Sequence, residues 1–305
     1  MPGGPPSREG RASPPPPVLS STAAYHASVD RPVGVRDLLG QARVRVGSET
    51  TLQRSLAAWA ALGLVAAVGG SLAVAALAGP AELRGVAGNG AWIGLGWWVL
   101  VSLGVAAGSP LLVDPASGER FQGLGAPNGL TALRAYLCAP VVLCALLPDR
   151  TLGRELFLAV ASPVALLDAA DGFVARRAQL VTVLGRALDP IMDTLFFSLC
   201  AGATLLLGLI PAWLALLVLA RYALPGVAFL AIYPGLRRRP TMVATSFGKA
   251  STLVVSVTLL VSALLVLGGG PSGAFQVAAA VPIAALAMAH FSVLARRARA
   301  AATTL

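Results

Sequence analysis

Eight apolar runs, at about residues 56–78, 91–113, 129–148, 153–170, 188–209, 212–233, 250–268 and 274–295, take up most of this chain. Each reaches or approaches the roughly 20 helical residues needed to cross the hydrocarbon layer of a bilayer. Such runs leave few folds open, because in lipid every backbone N–H and C=O must find its partner inside the protein, and a helix achieves this within one segment. Composition agrees: 56% of the 305 residues are hydrophobic and 12% charged, too apolar a balance for the surface of a soluble domain. The separators "LPDRTLGRE", "LIPAW", "YPGLRRRP" and "LGGGPSG" carry the proline, glycine and charge that end helices. The fold expected is all-α and integral to a membrane, with about eight spans.

The formal net charge is +10, and the basic residues are almost all arginine, clustered at the ends of the runs. Arginine in that position reports topology and anionic headgroups rather than nucleic acid. With the N-terminus in the cytoplasm, that side receives Arg36, Arg43, Arg45, Arg54, Arg120, Arg176, Arg177, Arg186, Arg237, Arg238, Arg239, Lys249, Arg296, Arg297 and Arg299, and the opposite side only Arg84, Arg150 and Arg154. The expected location is therefore the cell membrane, with both termini cytoplasmic. Residues 1–34, rich in proline, glycine and serine, are expected to be a disordered tail, and no apolar core marks them as a signal peptide. Cys138, Cys144 and Cys200 lie inside apolar runs without metal-ligand spacing and are expected to pack as small hydrophobes. His26 and His290 are too isolated to build a zinc site or a catalytic triad.

Against this background one stretch, "LLDAADGFVARRAQLVTVLGRALDPIMDTLFF" at 166–197, holds four aspartates and three arginines. Asp168 and Asp171 are three apart and Asp189 and Asp193 four apart, so each pair shares one face of a helix. Two such pairs on neighbouring helices can converge. Four carboxylates at the edge of a low-dielectric layer are costly unless cations neutralise them, and hard oxygen donors point to Mg2+, Mn2+ or Ca2+. Gly172 and Gly185 leave two places without a side chain, and Arg176, beside small Ala175, can face a phosphate oxygen with its planar fork. The same cytoplasmic face that carries the arginines would carry this site.

The pattern Asp168-x2-Asp171-Gly172-x2-Ala175-Arg176-x8-Gly185-x3-Asp189-x3-Asp193 fixes eight residues over 26 positions, and it resembles the complete signature of the CDP-alcohol phosphotransferases, membrane enzymes of phospholipid synthesis. The resemblance implies a six-helix bundle over 129–295, preceded by two additional N-terminal spans. It divides the chain into a tail at 1–34, a basic juxtamembrane segment with two extra helices at 35–120, a catalytic core at 121–299 and a short tail at 300–305. It implies transfer of a phosphatidyl group from a CDP-linked lipid such as CDP-diacylglycerol to an alcohol, with release of CMP and with two Mg2+ or Mn2+ ions. Asp168, Asp171, Asp189 and Asp193 would hold the metals, Asp193 doubling as general base, and Gly172, Ala175, Arg176 and Gly185 would contact the CDP part. A homodimer is the family tendency.

The resemblance continues in "APNGLTALRAYL", where Asn128, Thr131 and Arg134 recur at three-residue spacing and would line the nucleotide side. Arg221, in "LVLARYALPG", and Lys249, in "SFGKAST", are charges in apolar surroundings, a functional signal by default, and would bind a phosphorylated acceptor. Glycerol 3-phosphate or another polyol phosphate is the acceptor expected. Many bacterial members that use glycerol phosphate have a lysine after the last aspartate and an acidic residue after the arginine; here those positions are Thr194 and Tyr222. Trp92, Trp97 and Trp98 are expected as membrane-interface anchors. Two other readings are weighed. An intramembrane Mg2+-dependent prenyltransferase would place its aspartate motifs on the order of a hundred residues apart, against the eighteen positions from Asp171 to Asp189. A non-enzymatic cation-binding protein or transporter would need polar groups through the depth of its spans.

Overall fold

The computed structural model describes residues 35–79, 89–178, 181–232 and 246–303. These residues are helical nearly throughout, and the sole bridge outside helices joins Val113 to Arg120. We number the helices α1 (Val35–Ser48), α2 (Thr50–Ala78), α3 (Gly90–Ala107), α4 (Gly125–Ala145), α5 (Arg150–Ala178), α6 (Val183–Leu206), α7 (Ala212–Ile232), α8 (Ser246–Leu267) and α9 (Ser272–Thr303). Helices α2 to α9 correspond one to one with the eight apolar runs. Six of them, α2, α3, α4, α6, α8 and Ser272–Arg296 of α9, are long and apolar enough to cross a membrane. The expected count of eight falls to six by that measure, because α5 carries charge at both ends and the apolar stretch of α7, Ala212–Pro225, is short. The 1–34 tail and Arg237, Arg238 and Arg239 lie outside the described residues.

Helix α4 is the axis of the bundle: 72% of its apolar window is buried, against 17% for α3 and for α9. It is broken at Leu137, since Pro140 has no N–H to give the carbonyl of Tyr136, one turn earlier. Helices α5 and α6 both pack on α4, α7 packs on α6, and α8 pairs with α9. The core these helices share contains Val141, Phe157, Val164, Phe196, Phe197, Leu214, Val218, Val255 and Ile283, together with all three cysteines, which are buried and free.

The N-terminal helices are docked on the other side of α4, and the contact is made by shape. In lipid there is no hydrophobic gain in joining two apolar helices, so close packing, small residues and hydrogen bonds must hold them. A Cβ on Gly129 of α4 would fall inside the Trp59 ring of α2, and a Cβ on Gly63 of α2 would fall inside the Tyr136 ring of α4. Each helix thus offers a notch to an aromatic ring of the other. Trp97 and Trp98 donate their indole N–H to the carbonyls of Ala135 and Ala60, both at 2.7 Å. These two tryptophans therefore tie helices together, whereas Trp92 is exposed.

Helix α1 was not anticipated as a helix, and its Arg45 was expected to serve topology. Arg45 is instead buried, donating to the carbonyls of Ser109 at 2.5 Å and Phe121 at 2.6 Å and to Glu49 at 3.2 Å. It fastens α1 to the turn between α3 and α4.

Candidate active site

The described part of the site is built on α4 and α6. Asn128, Thr131 and Arg134 follow one another along α4 and all are buried. Arg134 is 1% exposed, and a guanidinium so placed needs a charged partner to offset its desolvation. It has one in Asp193 of α6, whose Oδ1 accepts from Nη2 at 2.7 Å. The guanidinium also lies 5.9 Å from the centre of the Phe196 ring, within range of a cation–π contact. This pair orients the Asp193 carboxylate and leaves its second oxygen for other chemistry. Asp189, one turn earlier on α6, is exposed.

At the start of α6 a second polar knot joins the same two helices. Thr182 is the N-cap: its Oγ1 accepts from the Gly185 N–H at 2.8 Å and donates to Asn128 Oδ1 at 3.1 Å. Asn128 in turn donates through Nδ2 to the Leu124 carbonyl at 2.7 Å. A Cβ on Gly185 would stand 2.7 Å from Asn128 Oδ1, so the missing side chain at 185 makes room for Asn128. The gap expected to admit a ligand is occupied by the protein itself, and Gly185 acts by letting α4 and α6 close. Thr131 donates to the Pro127 carbonyl at 3.1 Å. Thr182 was not singled out in the sequence, although a threonine three residues before the first glycine of a helix is a readable cap signal.

Asp168, Asp171, Gly172, Ala175 and Arg176 belong to the later turns of α5, and their side chains lie outside the described residues. Among the described residues no three His, Cys, Asp or Glu side chains come together as a metal site; of the four aspartates, Asp189 and Asp193 alone contribute described side chains. The donors fit a divalent cation in kind. They are carboxylate oxygens, the ligand class of Mg2+ and Mn2+, and Asp189 is accessible on the helix face it shares with Asp193.

A third cluster joins α7 to the first turns of α8. Arg221 is 5% exposed, yet its partners are neutral: Nε donates to Ser251 Oγ at 2.9 Å and Nη2 to the Gly248 carbonyl at 3.3 Å. Lys249, the next residue, is exposed. Tyr222 stacks on Phe197 with ring centres 4.8 Å apart and hydrogen-bonds Thr252 through its hydroxyl. Thr194 donates to the carbonyls of Pro190 at 2.9 Å and Tyr222 at 3.5 Å. The two positions at which this chain departs from the bacterial pattern are thus in contact with each other, and both are neutral.

The family model for CDP-alcohol phosphatidyltransferase matches residues 124–293, which begins at the turn before α4 and ends within α9. A probable phosphatidylglycerophosphate synthase from Mycobacterium tuberculosis is 33% identical over 162 residues, 52% of this chain and 72% of that protein. A CDP-diacylglycerol–glycerol-3-phosphate 3-phosphatidyltransferase from Rickettsia felis is 36% identical over 69 residues, 23% of this chain and 38% of that one. No solved structure matches the chain significantly. The chain belongs to the CDP-alcohol phosphatidyltransferase family: it is a membrane enzyme of phospholipid synthesis that transfers a phosphatidyl group to an alcohol. α1, α2 and α3 lie outside the matched region.

Proposed function

We propose that the enzyme takes the phosphatidyl group from CDP-diacylglycerol and passes it to a small phosphorylated alcohol, with glycerol 3-phosphate the first candidate. The observation that carries this reading is the Arg134–Asp193 pair, which brings a polar residue of the α4 segment against the last aspartate of the signature at 2.7 Å. The acceptor hydroxyl oxygen attacks the phosphorus bonded to the diacylglycerol oxygen. The bond from that phosphorus to the bridging oxygen breaks, CMP leaves with the electron pair, and the hydroxyl proton passes to the Asp193 carboxylate. Asp168, Asp171, Asp189 and Asp193 would hold two Mg2+ or Mn2+ ions, whose charge would offset that of the diphosphate and of the departing CMP. Gly172, Ala175 and Arg176 on α5 would face the cytidine diphosphate. Asn128 and Gly185 let α4 and α6 close on each other, and Thr131 would line the nucleotide side from α4.

Arg221 supports a phosphorylated acceptor, since a buried guanidinium bonded only to a hydroxyl and a carbonyl among the described residues keeps its charge for an anion. Lys249 stands beside it. The names of the two relatives favour glycerol 3-phosphate within that class. The arginine distribution supports a site and termini on the cytoplasmic face.

The test is CMP release by the purified protein from CDP-diacylglycerol, with and without EDTA, across a panel of phosphorylated and unphosphorylated alcohols. Metal-dependent CMP release with a phosphorylated acceptor is expected, and the lipid product identifies which one. No CMP with any acceptor rejects the reading, and a preference for an unphosphorylated alcohol rejects the part assigned to Arg221 and Lys249.

A further inference from the structure

The N-terminal helices carry two cavities that the transfer reaction does not use. One is an apolar slot of about 310 Å3 between α2 and α3 with α4 as its floor, lined by Ala57, Ala60, Leu103, Ala106, Ala132 and Tyr136. Its interior is unpolar because the Tyr136 and Ser102 hydroxyls satisfy each other at 2.9 Å. The slot meets α4 on the side turned away from Arg134: at 100° per residue, Ala132 and Tyr136 each point roughly 160° from it. Ala57 and Leu103 are exposed at its mouth, on helices that cross the membrane.

The second cavity, of about 610 Å3, lies between α1 and the turn after α3 and includes Arg36, Asp37, Arg45, Glu49, Pro110 and Arg120. Arg45 and Glu49 are spent on each other. That leaves the exposed Arg36 and Arg120 against Asp37, so the cavity favours an anion. The two cavities are bordered by residues close to one another in the chain. Val46 borders the slot and its chain neighbour Arg45 the polar cavity, and on the other side Ala106 borders the slot and Pro110, in the turn after α3, the polar cavity.

We propose that these two cavities form one binding site for an anionic phospholipid of the surrounding bilayer, separate from the CDP-alcohol site. The phosphate lies against Arg36 and Arg120 at the membrane surface, and an acyl chain enters the slot between α2 and α3. Only a lipid offers an anion at the surface and a hydrocarbon chain one step deeper, and in a bilayer an open apolar slot fills with acyl chain. A lipid bound there touches α4 at Ala132 and Tyr136, on the side of that helix turned away from Arg134.

The test uses the full chain in nanodiscs containing trace phosphatidylglycerol or phosphatidylcholine with a photoreactive acyl chain, followed by peptide mass spectrometry. Label from phosphatidylglycerol is expected on the peptides carrying Ala57 and Leu103, in excess over phosphatidylcholine. Arg36→Gln and Arg120→Gln should each lower that label roughly fivefold while leaving phosphatidylcholine labelling unchanged. Ala57→Phe and Ala106→Phe, each shown to melt at the parent temperature in detergent, should remove label from the slot with either lipid. Equal labelling by the two lipids, label unmoved by the arginine substitutions, or label unmoved in both slot-filling variants would overturn the proposal.

Discussion

Arg134 and Arg221 are both arginines buried in a membrane bundle, and the protein treats them in opposite ways. Arg134 is matched by a carboxylate at 2.7 Å, on the neighbouring helix α6. Arg221, 5% exposed, meets a serine hydroxyl and a backbone carbonyl, and no described carboxylate lies within ion-pair distance. Burial of a charge is tolerated when a partner offsets its desolvation; the first arginine has a carboxylate for this, with its Nε left unbonded, and the second has neutral groups alone among the described residues. The contrast separates an arginine paired within the bundle from the one that, under the proposed function, receives the acceptor.

The comparison breaks most visibly at Asp193. Asp193→Asn removes both the proposed proton acceptor and the partner of Arg134, and CMP release should fall roughly 10²–10⁴-fold. Melting in detergent should also fall by up to about 3 kcal/mol of stability, the lower end for a broken buried pair, because Asp193 is 30% exposed. An Asp193→Asn protein that keeps parental turnover would place the base elsewhere.

Arg221→Met tests the other side. The acceptor KM should rise about 10–100-fold, the value of a hydrogen bond to a charged group, while the KM for CDP-diacylglycerol stays put. A change in the donor KM, or none in the acceptor KM, would make Arg221 a structural tie between α7 and α8.

Gly185→Ala should destabilise by about 1–3 kcal/mol through overpacking against Asn128. Pairing it with Asn128→Ala should return much of the loss, since the clash and its partner go together; thermal unfolding of both variants decides. Thr194→Val should have the smallest effect, below about 1.5 kcal/mol, with acceptor preference unaltered if the neutral Thr194–Tyr222 contact serves packing alone. A shift in acceptor preference there would move the specificity boundary from Arg221 to α6.

Much of this was legible in the chain. The apolar runs predicted each of α2 to α9, because a segment long enough to span lipid has helix as its one economical conformation. The aspartate spacing predicted the shared faces, because helical periodicity is local. What escaped was of a different kind. Nothing in "RVRVGSE" distinguishes Arg45 from its neighbour Arg43 as the buried one, since burial depends on the turn at Ser109 and Phe121, far along the chain. The glycines at 63 and 129 are unremarkable until Tyr136 and Trp59 are seen filling them.

The sequence by itself determined the membrane setting, the helical segments and the family of the chemistry, since these follow from run length, periodicity and the spacing of residues that lie within a few turns of one another. The tertiary structure alone decided that Gly185 closes on Asn128, that Arg134 is neutralised by Asp193 while Arg221 meets neutral groups, and that the added N-terminal helices lock into α4. Those outcomes depend on which helix faces which across the bundle. In lipid that choice is made by shape and hydrogen bonding between segments, which no single segment encodes.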